Sequence, residues 1–512
     1  MEQTIDITRP ALPVFIQQFA ESSARAHPDA VAIRDRHGDL THAAVWARSG
    51  QLSSWLRGRG VGQGDRVLLR LRNSREFVLL FHAALRVGAV VVPTSPDLRA
   101  AQVAHIVRDC APVLCVVEGD DAEFSAEGCP TVDVATAMAK SQAEPADLDE
   151  AGRFGAALAS PQDVAFLIYT SGSTAAPKGV VCPHEQVVFA AGAIAERLGY
   201  RETDVVYCRL PFSFDYGLYQ ILLACLAGAA LALPESASDV QVLKEVRSAG
   251  ATIVPVVPTL ATVLAVLATR DRRPTAVRRF TNTGAELTAE HSRRLRETFP
   301  DAEIISMYGM TECKRITISG PDDDLARPGT VGKALTGTEV VVIDELGAPV
   351  AAGTVGEVVV RGPHVMAGYW NAPEETAKRY RPNQTTGATE LHTGDFGWLD
   401  DAGDLHLVGR RDDIFKRRGV RVSTAEIEAA VLTVDGVREA AVVPDVPSLG
   451  LVLWYAGTIT ADALRAELPG ILDAARLPDR ILCRPELPRT AHGKLDRRWL
   501  VENIASTGRD HG

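Results

Sequence analysis

Residues 169–180 read Tyr-Thr-Ser-Gly-Ser-Thr-Ala-Ala-Pro-Lys-Gly-Val, and the other features of the chain are interpreted around this stretch. The apolar run at 164–169 predicts a buried strand before it, and Val180-Val181 begins another short apolar stretch after it. Glycine lets the backbone approach a ligand, hydroxyl and backbone N–H groups donate to phosphate oxygens, and Lys178 offsets their charge. The stretch therefore suits a polyphosphate bound between two strands. An ordinary turn is the alternative, because these residue types dominate turns.

This loop differs from the Walker-type phosphate loop, in which Gly-Lys-Ser/Thr opens a helix. Here the order is Pro177-Lys178-Gly179, and a strand is predicted to follow. As a whole the stretch resembles the phosphate loop of the acyl-adenylate-forming superfamily, which contains acyl- and aryl-CoA synthetases, luciferases and the adenylation domains of non-ribosomal peptide synthesis. The resemblance implies that ATP phosphates are bound by Thr170, Ser171, Gly172, Ser173, Thr174 and Lys178.

The composition is that of a soluble globular protein and excludes several classes of function. A chain of 512 residues is too long for one ordinary core, which predicts two or more domains. A net charge of −11 argues against binding to nucleic acid or to an anionic membrane. The long uncharged stretches at 216–234 and 251–269 are interrupted by Gly or Pro, so no membrane-spanning helix is predicted. The eight cysteines form no Cys-x-x-Cys pair, which excludes a zinc signature and indicates free thiols in the cytoplasm.

The order of apolar patterns predicts the fold class. Alternating β and α patterns between residues 31 and 117 predict a parallel, layered α/β sheet. The glycines at 58, 60, 62 and 64 do not match Gly-x-Gly-x-x-Gly, so a Rossmann dinucleotide site is excluded. Residues 118–160 are acidic, rich in Ala and without a firm period, and we expect a variable connection there. The segment 329–370 is β-rich and resembles a further subdomain of the superfamily.

The stretch at 209–220, Arg-Leu-Pro-Phe-Ser-Phe-Asp-Tyr-Gly-Leu-Tyr-Gln, carries the substrate hypothesis. Asp215 lies in an otherwise apolar window, where a carboxylate is costly unless it meets a cation or hydrogen-bond donors. The stretch is similar to the Phe-Asp segment of amino-acid adenylation domains, whose aspartate holds the substrate ammonium group. The alternative is that Asp215 caps the helix that follows. The resemblance implies a substrate pocket lined by Phe214, Asp215, Tyr216, Tyr219, Thr281, Thr283, Met307 and Arg315.

Two further segments match the nucleotide site of the superfamily. Residues 281–286 resemble its adenine-side loop, here with Gly284, Ala285 and Glu286 against the nucleotide, although a turn without a ligand is the alternative. The motif at 308–312 reads Tyr-Gly-Met-Thr-Glu. The resemblance implies that Tyr308 stacks on adenine beside Gly309, that Thr311 binds the α-phosphate and that Glu312 holds Mg²⁺, for which a carboxylate is a natural ligand.

Arg315 follows this motif directly and has two interpretations. It either pairs with a second carboxylate of the substrate or forms a structural ion pair. If Arg315 faces the pocket, we expect a substrate with an acidic or modest-sized side chain.

The C-terminal part of the chain resembles the small domain of the superfamily. The resemblance implies that Asp395 and Arg410 bind the ribose hydroxyls. It also implies that Asp412 is a hinge between a large N-terminal α/β domain, residues 1–411, and a small, mobile α+β domain, residues 412–512. Lys494 lies in a Gly-Lys-x-Asp-Arg motif and is expected to enter the site as a catalytic residue of adenylation, together with Thr311 and Glu312.

The matches run in family order along nearly the whole chain and imply a two-step ligase that uses ATP and Mg²⁺. With Asp215 present, we predict adenylation of an α- or β-amino acid and transfer to the phosphopantetheine thiol of a free-standing carrier protein in natural-product biosynthesis. The sequence leaves the amino acid and the oligomeric state open. An acyl- or aryl-CoA synthetase that uses free CoA is the first alternative, and an inactive nucleotide-binding scaffold is the second.

Overall fold

The computed structural model describes residues 14–119, 128–145, 160–170, 177–236, 238–410, 414–417, 420–446, 449–489 and 495–504. In chain order, the strands are β1 Val31–Asp35, β2 Gly38–Thr41, β3 Arg66–Arg70, β4 Val90–Thr94, β5 Leu114–Val117, β6 Thr131–Asp133, β7 Val164–Thr170, β8 Lys178–Pro183, β9 Val205–Tyr207, β10 Ala230–Ala232, β11 Ile253–Val256, β12 Arg279–Asn282, β13 Glu303–Tyr308, β14 Thr317–Ile318, β15 Lys333–Ala334, β16 Glu339–Ile343, β17 Gly356–Arg361, β18 Tyr380–Pro382, β19 Thr389–Leu399, β20 Leu405–Arg410, β21 Ile414–Arg417, β22 Val420–Ser423, β23 Val437–Val446, β24 Gly450–Gly457 and β25 Arg480–Arg484.

Helices connect most of these strands. In chain order, they are α1 Gln17–Ala26, α2 His42–Arg57, α3 Arg75–Arg86, α4 Ala100–Cys110, α5 Val134–Ser141, α6 His184–Leu198, α7 Asp215–Ala227, α8 Val242–Ser248, α9 Pro258–Arg270, α10 Ala289–Thr298, α11 Asp323–Ala326, α12 Pro373–Arg379, α13 Thr424–Val431, α14 Ala461–Glu467 and α15 Arg497–Glu502. Among the described residues, no helix is both long and apolar enough to cross a membrane.

Two sheets, both mainly parallel, form the N-terminal core. The larger has the strand order β15-β14-β13-β12-β11-β9-β10-β1-β2, and the smaller has the order β6-β5-β3-β4-β7-β8. Their strands are apolar because helices cover both faces, so the side chains of 165–168 in β7 are all buried. One hydrophobic cluster joins the two sheets and includes Phe166, Tyr216 and Tyr219. The prediction of parallel, layered α/β structure is confirmed, but the strands divide between two sheets.

The variable connection expected at 118–160 contains two short elements. Thr131–Asp133 forms β6 and Val134–Ser141 forms α5. Asp133 caps α5 by accepting a hydrogen bond from the Thr136 amide. A strand of three residues and a helix of eight are too short to show a clear period, which explains the omission.

The remaining strands form smaller sheets toward the C-terminus. Strands β16, β17, β19 and β18 pair in that order, and β20 pairs with β19, which confirms the predicted β-rich segment. Beyond residue 414, β21 and β22 form a hairpin, and β23, β24 and β25 form a three-stranded sheet. Two hydrophobic clusters consist only of residues from 415 onward. This C-terminal part therefore has a core of its own. The predicted hinge, Asp412, lies outside the described residues.

Candidate active site

The predicted phosphate loop joins two antiparallel strands. Thr170 at the end of β7 and Lys178 at the start of β8 are cross-strand partners in an antiparallel pair. A strand follows the lysine, as predicted, where a Walker-type loop would have a helix. Lys178 Nζ lies 2.5 Å from Glu375 Oε2. The predicted phosphate-binding residues Ser171, Gly172, Ser173 and Thr174 lie outside the described residues.

Asp215 occupies the first position of α7 and forms a buried ion pair. Its Oδ2 lies 3.0 Å from Arg315 Nη1, and the two side chains are 4% and 3% exposed. The alternative that Asp215 caps α7 is wrong, because the cap residue is Phe214 and no side chain accepts a capping hydrogen bond. Removing two charges from water is costly and is tolerated where each finds partners. The sequence anticipated this need for a cation but did not identify Arg315 as that cation.

Glycine at position 217 allows α7 to begin where it does. A Cβ there would lie 2.3 Å from the Pro211 carbonyl oxygen and 2.5 Å from that of Leu210. No side chain fits between the first turn of α7 and this preceding segment. The close contact between Gly217 and the backbone of residues 210–211 fixes the direction in which the Asp215 side chain projects from α7.

Aromatic and hydroxyl groups surround the ion pair. The Tyr216 hydroxyl donates to the Thr281 carbonyl at 2.5 Å and lies 2.8 Å from Thr281 Oγ1. The Arg315 guanidinium stands 4.8 Å from the centre of the Tyr216 ring. The buried Tyr219 hydroxyl and Thr283 Oγ1 have no hydrogen-bond partner among the described residues. A buried polar atom without a partner is unfavourable, so both groups are suited to meet a ligand.

Met307 and Phe214 complete the set of predicted pocket residues. Met307 is buried in β13, in the same hydrophobic cluster as Tyr216 and Tyr219. Phe214 packs partly buried against that cluster. Gly284 has φ +85°, and a Cβ on it would lie 3.2 Å from the Phe214 ring, so glycine is required at this contact. The adjacent Ala285 and Glu286 are exposed.

Residues 308–316 form a tight loop that folds back on itself. The Lys314 amide donates to the Met310 carbonyl at 2.7 Å, and the Ile316 amide donates to the Tyr308 carbonyl at 2.8 Å. A Cβ at Gly309 would lie 2.0 Å from the Lys314 carbonyl oxygen, so only glycine fits this position. The loop buries Thr311 and Glu312.

Lys314 is a functional candidate that the sequence analysis did not select. It has the left-handed φ of +69°, which is rare for a residue other than glycine. Its side chain is completely buried, and Nζ lies 3.2 Å from Cys182 Sγ and above the Phe166 and Tyr219 rings. It forms no ion pair within the described part of the chain. Burial raises the pKa of the Cys182 thiol, while the nearby Lys314 ammonium acts in the opposite direction.

The predicted ribose and adenine residues lie next to each other. The Tyr308 hydroxyl donates to Asp395 Oδ2 at 2.5 Å, and both residues are buried. Asp395 in β19 is the cross-strand partner of Arg410 in β20, so the register brings the two predicted ribose ligands to adjacent strands. Burial and the Asp395 carboxylate together raise the pKa of Tyr308 well above its usual value, so the tyrosine remains a hydrogen-bond donor.

Comparison with known proteins supports the assignment that this geometry suggests. Residues 20–370 match the family described as AMP-binding enzyme. The chain belongs to the AMP-binding enzyme family. It is 30% identical to L-proline--[L-prolyl-carrier protein] ligase of Pseudomonas fluorescens over 511 residues, which is 95% of this chain and 99% of that protein. Several other relatives are much longer: the chain spans 8% of tyrocidine synthase 3 of Brevibacillus parabrevis, to which it is 29% identical over 96% of its own length.

Solved structures extend this comparison. A structure of VinN with L-aspartate is 39% identical, with a TM-score of 0.70 over 77% of this chain and 98% of VinN. O-succinylbenzoate coenzyme A synthetase from Bacillus subtilis, solved with AMP, is 26% identical, with a TM-score of 0.82 over 94% of this chain and 97% of that chain. The predicted superfamily, the α/β fold class with a smaller C-terminal domain, and the enzyme class of AMP-forming ligase are confirmed.

The metal expected in this family of AMP-binding enzymes fits the residues around Glu312. Glu312 Oε1 accepts a hydrogen bond from the Tyr369 hydroxyl at 2.6 Å, and no described group bonds to the other carboxylate oxygen. The described residues contain no group of three or more His, Cys, Asp or Glu side chains that could hold a metal. Mg²⁺ is commonly held by one or two carboxylates together with substrate phosphates, and a single carboxylate meets that requirement.

Lys494, the lysine expected to act in adenylation, lies outside the described residues. The predicted roles of Lys494, of the hinge and of the phosphate loop therefore remain predictions from the sequence. The described part of the site contains the Asp215–Arg315 ion pair, the adjacent Tyr308 and Asp395, and the Glu312 carboxylate.

Proposed function

We propose that this enzyme adenylates an acidic amino acid and then transfers it to the phosphopantetheine thiol of a free-standing carrier protein. The observation that carries the substrate assignment is the charge in the pocket. Two buried cations, Lys314 and Arg315, accompany Asp215, and only Arg315 is paired with it. Within the described residues Lys314 forms no ion pair, and an anionic group on the substrate would compensate for its buried charge.

The Asp215–Arg315 pair is suited to open around a substrate that carries both charges. The substrate ammonium group would bind the Asp215 carboxylate, and its second carboxylate would bind the Arg315 guanidinium. Arg315 Nε has no hydrogen-bond partner among the described residues, so one donor is available to a bidentate carboxylate. The Lys314 ammonium, the Tyr219 hydroxyl and Thr283 Oγ1 supply further donors around the same space.

The reaction has two steps and needs no nucleophile from the protein. An oxygen of the substrate carboxylate attacks the α-phosphorus of ATP, the bond to the β-phosphate oxygen breaks, and pyrophosphate leaves. A thiolate then attacks the carbonyl carbon of the acyl-adenylate, the bond to the phosphate oxygen breaks, and AMP leaves. Asp215, Arg315 and Lys314 would orient the substrate, and Tyr308 and Asp395 would hold the nucleoside. Mg²⁺, held by Glu312, would reduce the charge of the triphosphate.

The relatives support both parts of the proposal. VinN, which has been solved with L-aspartate, supports an acidic amino acid as the substrate. The proline ligase of Pseudomonas fluorescens, whose name specifies a prolyl-carrier protein, supports a carrier thiol as the acceptor.

The test of the substrate is carboxylate-dependent ATP–pyrophosphate exchange with the purified enzyme. We expect exchange with L-aspartate or 3-methylaspartate. Succinate lacks the ammonium group, and β-alanine and alanine each lack one carboxylate, so each should be at least about 100-fold poorer because a buried charge would lose its partner. Equal exchange with succinate would refute amine recognition, and equal exchange with alanine or β-alanine would refute recognition of a second carboxylate.

A CoA ligase is the second candidate function. The observation in its favour is the similarity to O-succinylbenzoate coenzyme A synthetase over nearly the whole of both chains. The two candidates are distinguished by the acceptor, so the enzyme, ATP and the best amino acid are incubated with either CoA or a phosphopantetheinylated carrier protein. We expect loading of the carrier without comparable formation of a CoA thioester. A preference for CoA would overturn the carrier protein as acceptor and leave the amino-acid substrate unaffected. ATP–pyrophosphate exchange with any acid would exclude the third possibility, an inactive nucleotide-binding scaffold.

A further inference from the structure

Tyr369 connects the carboxylate that suits Mg²⁺ to the strand that follows the phosphate loop. Its hydroxyl donates to Glu312 Oε1 at 2.6 Å, and both side chains are buried.

The backbone around Tyr369 is held on both sides. Residues 366–370, which we call the strap, pair with β8: the Ala367 amide donates to Val181, the Val181 amide to Gly368, and the Trp370 amide to Gly179, at 3.1, 2.9 and 2.7 Å. At its other end, the Met366 amide donates to the Glu312 carbonyl at 2.9 Å. The strap thus fixes the Tyr369 ring between β8 and the loop that carries Glu312.

The Tyr369 ring also lies beneath the lysine of the phosphate loop. Lys178 Nζ is 5.6 Å from the ring centre, within the range of a cation–π contact. The same ammonium pairs with Glu375 Oε2 at 2.5 Å, on the helix that follows the strap. One side chain therefore contacts both the carboxylate expected to hold Mg²⁺ and the cation expected to meet the phosphates.

We propose that Tyr369 is a positioning residue that orients Glu312 toward the magnesium ion of Mg–ATP. Its hydrogen bond occupies Oε1 and leaves the other oxygen of the carboxylate for the metal. This proposal rests on the role of Glu312 in the proposed function. Groups that hydrogen-bond a metal ligand typically change metal affinity or activity by about 10–100-fold when they are removed.

Tyr369→Phe tests the proposal, because it removes the hydroxyl and keeps the ring that Lys178 contacts. The matched control is Tyr380→Phe. Tyr380 is also buried, its ring centre is 5.7 Å from that of Tyr369, and its hydroxyl has no hydrogen-bond partner among the described residues. The measurement is binding of Mn²⁺, followed by its electron paramagnetic resonance signal, to the enzyme with a non-hydrolysable ATP analogue. The Mg²⁺ dependence of exchange and the KM for the amino acid are measured in parallel.

We expect Tyr369→Phe to weaken Mn²⁺ binding and to raise the Mg²⁺ requirement by about tenfold, with the KM for the amino acid unchanged. Tyr380→Phe should behave as the wild-type enzyme does. Equal Mn²⁺ affinity in Tyr369→Phe and wild type, or an equal loss in Tyr380→Phe, would overturn the proposal. Glu312→Gln distinguishes a failure of the role assigned to Glu312 from a failure of the role assigned to Tyr369. If it leaves Mn²⁺ binding unchanged, the assigned role of Glu312 fails. If it weakens binding and Tyr369→Phe does not, only the role of Tyr369 fails.

Discussion

The buried pair of Asp215 and Arg315 joins side chains that lie 100 positions apart in the sequence. Both are almost completely enclosed, so each depends on the other for compensation of its charge. Substitution of one partner leaves a buried charge unpaired, which typically costs about 3–5 kcal/mol. We therefore expect Asp215→Ala to lower the stability of the folded chain by about that amount, measured by urea unfolding.

The control for this experiment removes both charges together. An Asp215→Leu, Arg315→Met double variant should have nearly the stability of the wild type, because apolar groups can replace a buried ion pair with little loss. It should nevertheless lose amino-acid-dependent exchange. A single variant as stable as the wild type would show that water or another group compensates Arg315.

His364 should make the stability of the enzyme depend on pH. The ring is completely buried, neither nitrogen has a described hydrogen-bond partner, and burial lowers its pKa to about 4. The unfolded chain, with a histidine pKa of about 6.5, takes up a proton that the folded chain excludes. The stability due to neutral His364 is therefore complete above about pH 6.5 and is lost as the pH falls toward 4, by about 2 kcal/mol at pH 5.

Thermal unfolding between pH 7 and pH 5 measures this effect. His364→Leu should flatten the decline in melting temperature relative to wild type, because the titrating group is gone. His37→Gln is the control, since His37 is exposed and its replacement should leave the profile unchanged. Parallel profiles for wild type and His364→Leu would contradict the argument.

The first turn of helix α7 carries Asp215, and its packing depends on Gly217. Replacement of glycine by alanine in a helix usually stabilises it by about 0.5–1 kcal/mol. At Gly217 the opposite is expected, because the added Cβ would lie 2.3 Å from the Pro211 carbonyl oxygen. Gly217→Ala should lower the melting temperature and impair exchange by moving Asp215. Gly58→Ala is the control at the end of α2, where the Cβ would meet nothing closer than 3.5 Å. Wild-type exchange in Gly217→Ala would contradict the assigned packing.

The sequence predicted elements where the local pattern is strong. Helix α3, Arg75–Arg86, lies in the segment of alternating β and α patterns and begins after Ser74, whose side chain accepts a hydrogen bond from the Phe77 amide. Such capping is local, so it can be recognised in a single sequence.

Lys314 could not be recognised as a functional candidate from a local pattern. Its burial depends on Cys182 and Phe166, which are distant in the sequence, and a lysine beside an arginine usually indicates an exposed turn.

The division of the molecule into two parts follows from its cores. The clusters formed by residues from 415 onward are separate from those of the two N-terminal sheets, and the boundary at Asp412 stays a prediction from the sequence. We predict that the C-terminal part moves between the half-reactions and carries Lys494 into the site for adenylation only. Loss of Lys494 should then impair adenylation and leave transfer to the thiol intact. Lys494→Ala should slow exchange by about 10²-fold or more, by analogy with loss of one donor to a transition-state charge. Transfer from a preformed acyl-adenylate to the thiol should remain, as measured by mass spectrometry of the carrier. Loss of both activities would contradict this separation.

The most direct test of substrate recognition combines variants with matched substrates. Specificity constants for L-aspartate, succinate and alanine are measured by exchange in the wild type, in Asp215→Asn and in Arg315→Gln. We expect Asp215→Asn to abolish the preference for aspartate over succinate. We expect Arg315→Gln to abolish the preference for aspartate over alanine and to retain the preference over succinate. If each variant loses activity equally with all three acids, the buried pair serves the fold alone, and the assignment of an acidic amino acid is wrong.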